Sequence, residues 1–302
     1  MSRLLEVSTY QINVFKTLFK LMSKTLVNIN MTFCSNKNDK VNNGYMKITE
    51  INPSSSMLID LVLRTDMFTT FYCTEKKTVV GINLLIFNKV LECISENDLS
   101  LTMCVDDNDI KNLKIIVNNE TGITNTFSLE LLNLKNTMLL QVPQSEINAK
   151  ITMSCDEFHK LCKEIYKLND SVELECSKDK LIMKCGNVVI NTITECSGAK
   201  IEGQFQESNF DYSIKGKFNL SDLVSFDELA SLSELLPFED TNVQIFMKND
   251  LPLIIKYNIA NLGRLLIFLT PLETADDKID KDIWNKEIFD ERSIEEISDI
   301  ER

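Results

Sequence analysis

Apolar and polar positions change period repeatedly along the chain, and the changes mark out its elements. From Thr9 to Thr25, Ile12, Phe15, Leu18, Phe19 and Met22 fall on one side of a helical wheel while Lys16, Lys20 and Lys24 stack on the other. Leu4 to Val7, just before, reads as a short strand, and Leu26 to Cys34 alternates with the period of a half-buried strand. A polar loop ending at Gly44 predicts a hairpin with Met46 to Ile51, and Met57 to Leu63 and Phe68 to Cys73 continue as strands. A second helix opens near Asn83, whose side chain can cap the segment Leu84 to Ile94 with Lys89 on its polar side. Leu99 to Val105 and Leu113 to Val117 close this half as another hairpin.

The plan then repeats. Ile151 to Met153 leads into a helix from Ser154 to Leu168, with Phe158, Leu161, Cys162 and Ile165 on its apolar side and Lys160, Lys163 and Lys167 opposite. FHKLCK overlays FKTLFK of the first helix. Strands Val172 to Cys176 and Leu181 to Cys185 follow; then FNLSDLVSFDELASL stands where GINLLIFNKVLECI stood, and VQIFMKNDLPLIIKYNI matches LSLTMCVDDNDIKNLKIIV. One unit used twice predicts an α+β chain in which each sheet carries its helices on one face. If the copies share an axis, their lysine rows face the same way.

Charge sharpens this. The lysine row of the first helix is interrupted by no acid, an arrangement that is unfavourable unless something anionic lies opposite; a plain solvated face is the bland reading, and its recurrence argues against that. The net charge of −13 over 302 residues argues at first against a nucleic-acid partner, but residues 273–302 hold twelve acids against five bases, so residues 1–272 carry only −6. No apolar run approaches the roughly 18 residues of a spanning helix, which predicts a soluble, intracellular protein with no membrane partner. Nine cysteines without a C-x-x-C pair fit reduced thiols, and Cys93, Cys162 and Cys185 read as small core residues. The one histidine, His159, sits in sequence among lysines and is expected on the exposed face, so no metal site or cofactor is expected. No phosphate loop, nucleophile with base or paired acids appears, which predicts a protein that is not an enzyme.

The duplicated pattern, the segment PLIIKYNIANLGRLLIFLTP, the run MKITEINPSSSMLIDLVLRTDMFTTFYC and the helix EFHKLCKEI together resemble the sliding clamps of eukaryotes and archaea, the proliferating cell nuclear antigen family. The resemblance covers about residues 2 to 272. It implies a DNA-clamp fold with an N-terminal clamp domain (1–130), a connector (131–146), a C-terminal clamp domain (147–272) and an acidic extension (273–302). It further implies a homotrimeric ring that encircles double-stranded DNA without reading sequence, placed there by a clamp loader, and tethers polymerase and other replication and repair proteins at a nuclear or viral replication site. Candidate DNA-contacting residues are Lys16, Lys20, Lys24, Lys89, Lys160, Lys163 and Lys167.

Subunits of such a ring join by edge strands, expected here as Asn112 to Asn118 against Lys180 to Cys185, with Leu113, Ile115, Val117, Leu181, Met183 and Cys185 at the interface. The resemblance also implies an outer groove for short apolar docking motifs, comprising Ile51, Leu58, Leu140, Val142, Pro252, Phe268, Leu269, Thr270 and Pro271, each equally compatible with plain core. The fourth helix departs from the family's basic pattern by carrying Asp222, Asp227, Glu228 and Glu234. A monomeric processivity factor, or one subunit of a hetero-oligomeric checkpoint clamp, is the alternative. In the extension, Ile283, Trp284, Ile288 and Phe289 are too apolar for an inert tail and predict docking on the clamp body or a partner. Abundant Asn, Lys and Ile suggest an AT-rich genome such as that of a large DNA virus.

Overall fold

The structure is a computed structural model that describes residues 2–35, 44–65, 68–95, 98–134, 148–186, 189–203, 213–224, 226, 242–249, 251–259 and 262–272. The first half runs β1 (Arg3–Thr9), α1 (Ile12–Ser23), β2 (Asn28–Cys34), β3 (Tyr45–Ile51), β4 (Met57–Arg64), β5 (Thr70–Cys73), β6 (Lys77–Asn83), α2 (Leu84–Glu92), β7 (Asp98–Asp106), β8 (Asp109–Asn119) and β9 (Thr124–Glu130). The second runs β10 (Ala149–Ser154), α3 (Cys155–Tyr166), β11 (Ser171–Cys176), β12 (Leu181–Gly186), β13 (Asn191–Cys196), β14 (Lys200–Gly203), β15 (Ile214–Asn219), α4 (Ser221–Val224), β16 (Asn242–Met247), β17 (Leu253–Ile259) and β18 (Gly263–Leu269).

The two halves are the same fold strand for strand. Antiparallel strands order as β5-β1-β7-β8-β9 in the first half and β14-β10-β16-β17-β18 in the second, then as β4-β3-β2-β6 and β13-β12-β11-β15. Within the chain β18 pairs β4, from Gly263 opposite Leu63 to Leu269 opposite Met57, and this junction fuses two of those four blocks into one nine-stranded sheet. Backbones approach closely there: a Cβ on Gly263 would lie 2.0 Å from the carbonyl oxygen of Val62. The other two blocks end, among the described residues, in the edges β9 and β13.

Inward-facing residues of all the sheets and the buried faces of the helices form one core, in which Phe15 meets Phe19 at a tilt and Phe19 meets Phe87 edge to face, at 4.5 and 4.9 Å between ring centroids. Alternation along each strand and the 3.6-residue period of α1 and α3 account for this directly. Asn83 caps α2 as its sequence requires, its Oδ1 accepting the Ile86 N–H at 3.0 Å.

Four expectations are corrected. Asn112 to Asn118 lies in β8, which is flanked on both sides by β7 and β9, and Lys180 to Cys185 lies beside and within β12, flanked by β11 and β13. Neither is an edge. Leu113, Ile115, Val117, Leu181, Met183 and Cys185 point into the core and are buried, so they cannot meet a neighbouring subunit. His159 is 3% exposed: with Cys155, Phe158, Cys162 and Ile165 it completes the apolar stripe of α3, and its Nε2 lies 3.1 Å from the Tyr257 hydroxyl. Cys93, expected in the core, is exposed at the end of α2, whereas Cys162 and Cys185 are buried.

Candidate DNA-facing and docking surfaces

The lysines follow from how the helices sit. α1 packs against α2 and β7, α2 against β2 and β6, and α3 against β10, β16 and α4. Packing of α2 and α3 on the core face of the nine-stranded sheet leaves their polar sides directed away from it. Lys20, Lys24, Lys89, Lys160, Lys163 and Lys167 are exposed. Lys16 is half-buried and its Nζ donates to the Ile94 carbonyl at 2.6 Å, just past the end of α2, where a cation is favoured by the helix dipole. The first turn of α1 holds no acid, while α3 opens with Asp156 and Glu157 and carries Glu164 beside its lysines. The acids predicted for the fourth helix, Asp227, Glu228 and Glu234, lie outside the described residues, as does the Asp222 side chain.

The opposite face of the nine-stranded sheet carries the second surface. The registers line up Ile51 with Leu58, Leu58 with Phe268, Phe268 with Ile254 and Ile254 with Phe246, an unbroken apolar row across five strands. With Leu266, these residues form a cluster separate from the main core. Three of the expected groove residues, Ile51, Leu58 and Phe268, therefore meet. Leu269 does not join them: it turns into the main core between Met57 and Leu253. Pro252 is buried at the start of β17, Thr270 is held by two bonds to the Ser56 carbonyl at 3.0 Å, and Pro271 bridges to Phe218. Leu140 and Val142 lie outside the described residues, as do Ile283, Trp284, Ile288 and Phe289. Phe246, Ile254 and Leu266 belong to the row and were not anticipated, although continuous apolar runs such as LLIFL signal a strand buried on both faces.

Next to the apolar row lies a charged one. Asp60 is fully buried on the outer face, where its Oδ1 accepts from the Thr49 hydroxyl at 2.5 Å and meets Lys47 Nζ at 3.3 Å. Arg264 and Lys256 share this face, since Arg264 alternates with Leu265 and Lys256 with Ile255, both of which point to the core. Burial pulls the Arg264 guanidinium below its ordinary range, and the Asp60 carboxylate works against that shift.

Elsewhere the groups with altered ionisation are structural. Burial pushes the Cys162 and Cys155 thiols up to about 12 and holds Tyr257 protonated well above its usual range, so none is a ready nucleophile. No cluster of three or more potential metal ligands occurs among the described residues, and no described helix is long and apolar enough to cross a membrane.

Comparison with known proteins agrees with the fold. The profile for the proliferating cell nuclear antigen N-terminal domain matches residues 4–138, and that for the C-terminal domain matches residues 141–272. Among similar proteins are a probable DNA polymerase sliding clamp of Acanthamoeba polyphaga mimivirus, 22% identical over 91% of this chain, and the proliferating cell nuclear antigen of Chaetomium thermophilum, 24% identical over 78% of this chain and 88% of its own. The chain spans 63% of the mimivirus protein's length. The crystal structure of proliferating cellular nuclear antigen from Entamoeba histolytica superposes with a TM-score of 0.74 at 22% identity, covering 90% of this chain and all of that one. With two domain profiles that together span almost all of residues 4–272, this chain belongs to the proliferating cell nuclear antigen family of sliding clamps.

Proposed function

We propose that the protein is a non-enzymatic sliding clamp: a ring of three identical chains, each of two clamp domains (1–130 and 147–272) joined by a connector (131–146), that encloses duplex DNA and tethers polymerase and other replication proteins. One observation carries the reading. The junction β18–β4 inside the chain joins two blocks whose counterparts in the repeat end in β9 and β13, so pairing β9 of one chain with β13 of the next repeats a contact the chain already makes.

The repeat also supports a register. Leu132 N–H donates to the Gly81 carbonyl as Leu272 N–H does to that of Lys217, which equates Leu132 with Leu272 and Gly81 with Lys217. Carried through the strand registers, these equivalences match Leu266 with Thr126 and Asp60 with Ile193. Because Leu266 faces Asp60 across the internal junction, Thr126 should face Ile193 of the next chain, and Ser128 should face Asn191. Closing the ring in this way pairs the β9 and β13 edges and covers Ile193, which is 65% exposed in the single chain.

The lysine-bearing sides of the helices then line the hole. Lys16, Lys20, Lys24, Lys89, Lys160, Lys163 and Lys167 meet phosphates as point charges and read no bases, so affinity falls with salt while the ring stays free to slide. Lys16 contributes least, being already committed to the end of α2. The outer row from Ile51 to Phe246, with Pro252, Thr270, Pro271, Leu140 and Val142, receives short apolar motifs of partner proteins.

The test is topological. Once loaded by a clamp loader onto closed circular DNA, the protein should stay bound through a high-salt wash and run off when the circle is linearised. Reversal of Lys20, Lys24, Lys160 and Lys163 to Glu should abolish polymerase stimulation and flatten the salt dependence while assembly persists. Equal retention on circular and linear DNA would overturn the clamp reading.

A further inference from the structure

We infer that Asn52 is a positioning residue of the outer apolar row: it holds the turn between β3 and β4 in the shape that latches Thr270, and so fixes Leu58 beside Phe268 where the row crosses from one half of the chain to the other. The inference rests on the proposed role of that row as the partner groove. It adds a residue that the family resemblance does not place there and that acts without meeting the partner.

The turn is organised around one side chain. Asn52 is 4% exposed although it opens a surface turn. Its Oδ1 accepts the N–H groups of Ser56 and Met57 at 3.0 Å each, and its Nδ2 donates to the hydroxyls of Ser54 at 2.8 Å and Ser56 at 3.0 Å. Both acceptor positions and both hydrogens of the amide are thereby used, which neither Asp nor Ala reproduces. The backbone of Asn52 closes the same turn, donating to the Met57 carbonyl and accepting from the Ser55 N–H at 2.9 Å each. Held in this way, Ser55 takes a φ of 57°, a left-handed conformation that a residue with a side chain keeps only where its surroundings over-determine it.

The turn is fastened in turn to the far side of the junction. The Ser56 carbonyl accepts both the N–H and the hydroxyl of Thr270 at 3.0 Å, which extends the β18–β4 ladder one step past Leu269 and Met57. The next rung inward sets Phe268 opposite Leu58, and Ile51 opposite Leu58 is the last pair of β3 and β4 before the turn. A motif seated on Ile51, Leu58, Phe268 and Ile254 therefore bridges that junction, and its affinity depends on how firmly the junction is held before it arrives.

The internal repeat separates this turn from the needs of the fold. The equivalence of Asp60 with Ile193 matches the pair Ile51–Leu58 with the pair Gly186–Asn191, and four residues join the second pair where six join the first. That shorter connection, NVVI, contains no serine. The same hairpin thus closes in the second half without the hydroxyls that Asn52 bonds, so the longer turn goes with the apolar row rather than with the shared fold.

Fluorescence anisotropy of a labelled peptide that presents one leucine and two phenylalanines on one face of a helical turn reads the affinity of the row in the full-length protein. Asn52→Ala should weaken binding roughly tenfold, and Asn52→Asp, which keeps the two bonds from backbone N–H groups, should lose less. Thr270→Val removes the hydroxyl bond to the Ser56 carbonyl while preserving shape; combined with Asn52→Ala it should add little, because both act through that carbonyl. A turn that served stability alone would lower the melting temperature and leave peptide affinity, measured well below it, unchanged in Asn52→Ala or, if that variant does not fold, in Asn52→Asp. That result overturns the inference, and so do strictly additive losses in the double variant. A wild-type protein that does not bind the peptide overturns the docking reading and this inference with it, whereas a missing Asn52 effect alone leaves the docking reading standing.

Discussion

At the scale of single residues, the buried contacts set stability and the exposed ones set its pH dependence. The Tyr257 hydroxyl and His159 Nε2 satisfy each other at 3.1 Å inside the second domain, with the rings stacked at 5.7 Å. Tyr257→Phe should therefore cost about 1–3 kcal/mol in denaturant unfolding, since it strands a buried imidazole nitrogen. Glu175, on the outer face of β11, is held down to about 2 from 4.5 by hydrogen bonds from Lys184, Ser213 and Lys215. A depressed carboxyl stabilises the fold fully above its unfolded value and loses that contribution as pH falls through the folded one. The wild-type protein should thus lose this stability between about pH 4.5 and 2, and Glu175→Gln should flatten that part of the curve. His159 is also where residue chemistry misled the sequence reading: its spacing from Phe158, Cys162 and Ile165 places it on the buried stripe, and period outweighs polarity once a partner hydroxyl is supplied from β17.

At the scale of elements, the helices and inner strands were legible and the edges were not. α1, α3 and the strand β2 bury one face and expose the other, so their periods stand out. β9, with the sequence TNTFSLE, and β13, with NTITEC, each bury little and read as polar connections. An edge strand is polar for a physical reason, because its solvent face carries no core residues and its open hydrogen bonds are guarded against chance pairing. Missing these two strands displaced the expected edges by one strand on each side, onto β8 and β12. Phe246, Ile254 and Leu266 of the outer row escaped for the opposite reason: strands buried on both faces lose the alternation that marks a strand. The register across β9 and β13 is testable at this scale. Ile193→Glu should weaken assembly by placing a charge in the junction, Thr126→Lys should do so less, and the double variant should regain part of the loss, about 0.2–1 kcal/mol per pair, in sedimentation equilibrium. Independent, additive losses would mean that these two positions do not face each other.

At the scale of the whole molecule, duplication is what makes the function intelligible. Two copies of one fold are joined by a strand pair, and the proposed pairing of β9 with β13 of the next chain would repeat that junction. α2 and α3 pack on one face of the nine-stranded sheet and the apolar row lies on the other, so the proposed function has DNA and partner proteins approach opposite faces. The acidic total of −13 is then no obstacle, since over half of it lies in residues 273–302. Light scattering of the purified full-length chain at micromolar concentration tests ring closure most directly. The account predicts a molar mass of three times 34.6 kDa, and a mass of one chain under the same conditions would contradict it.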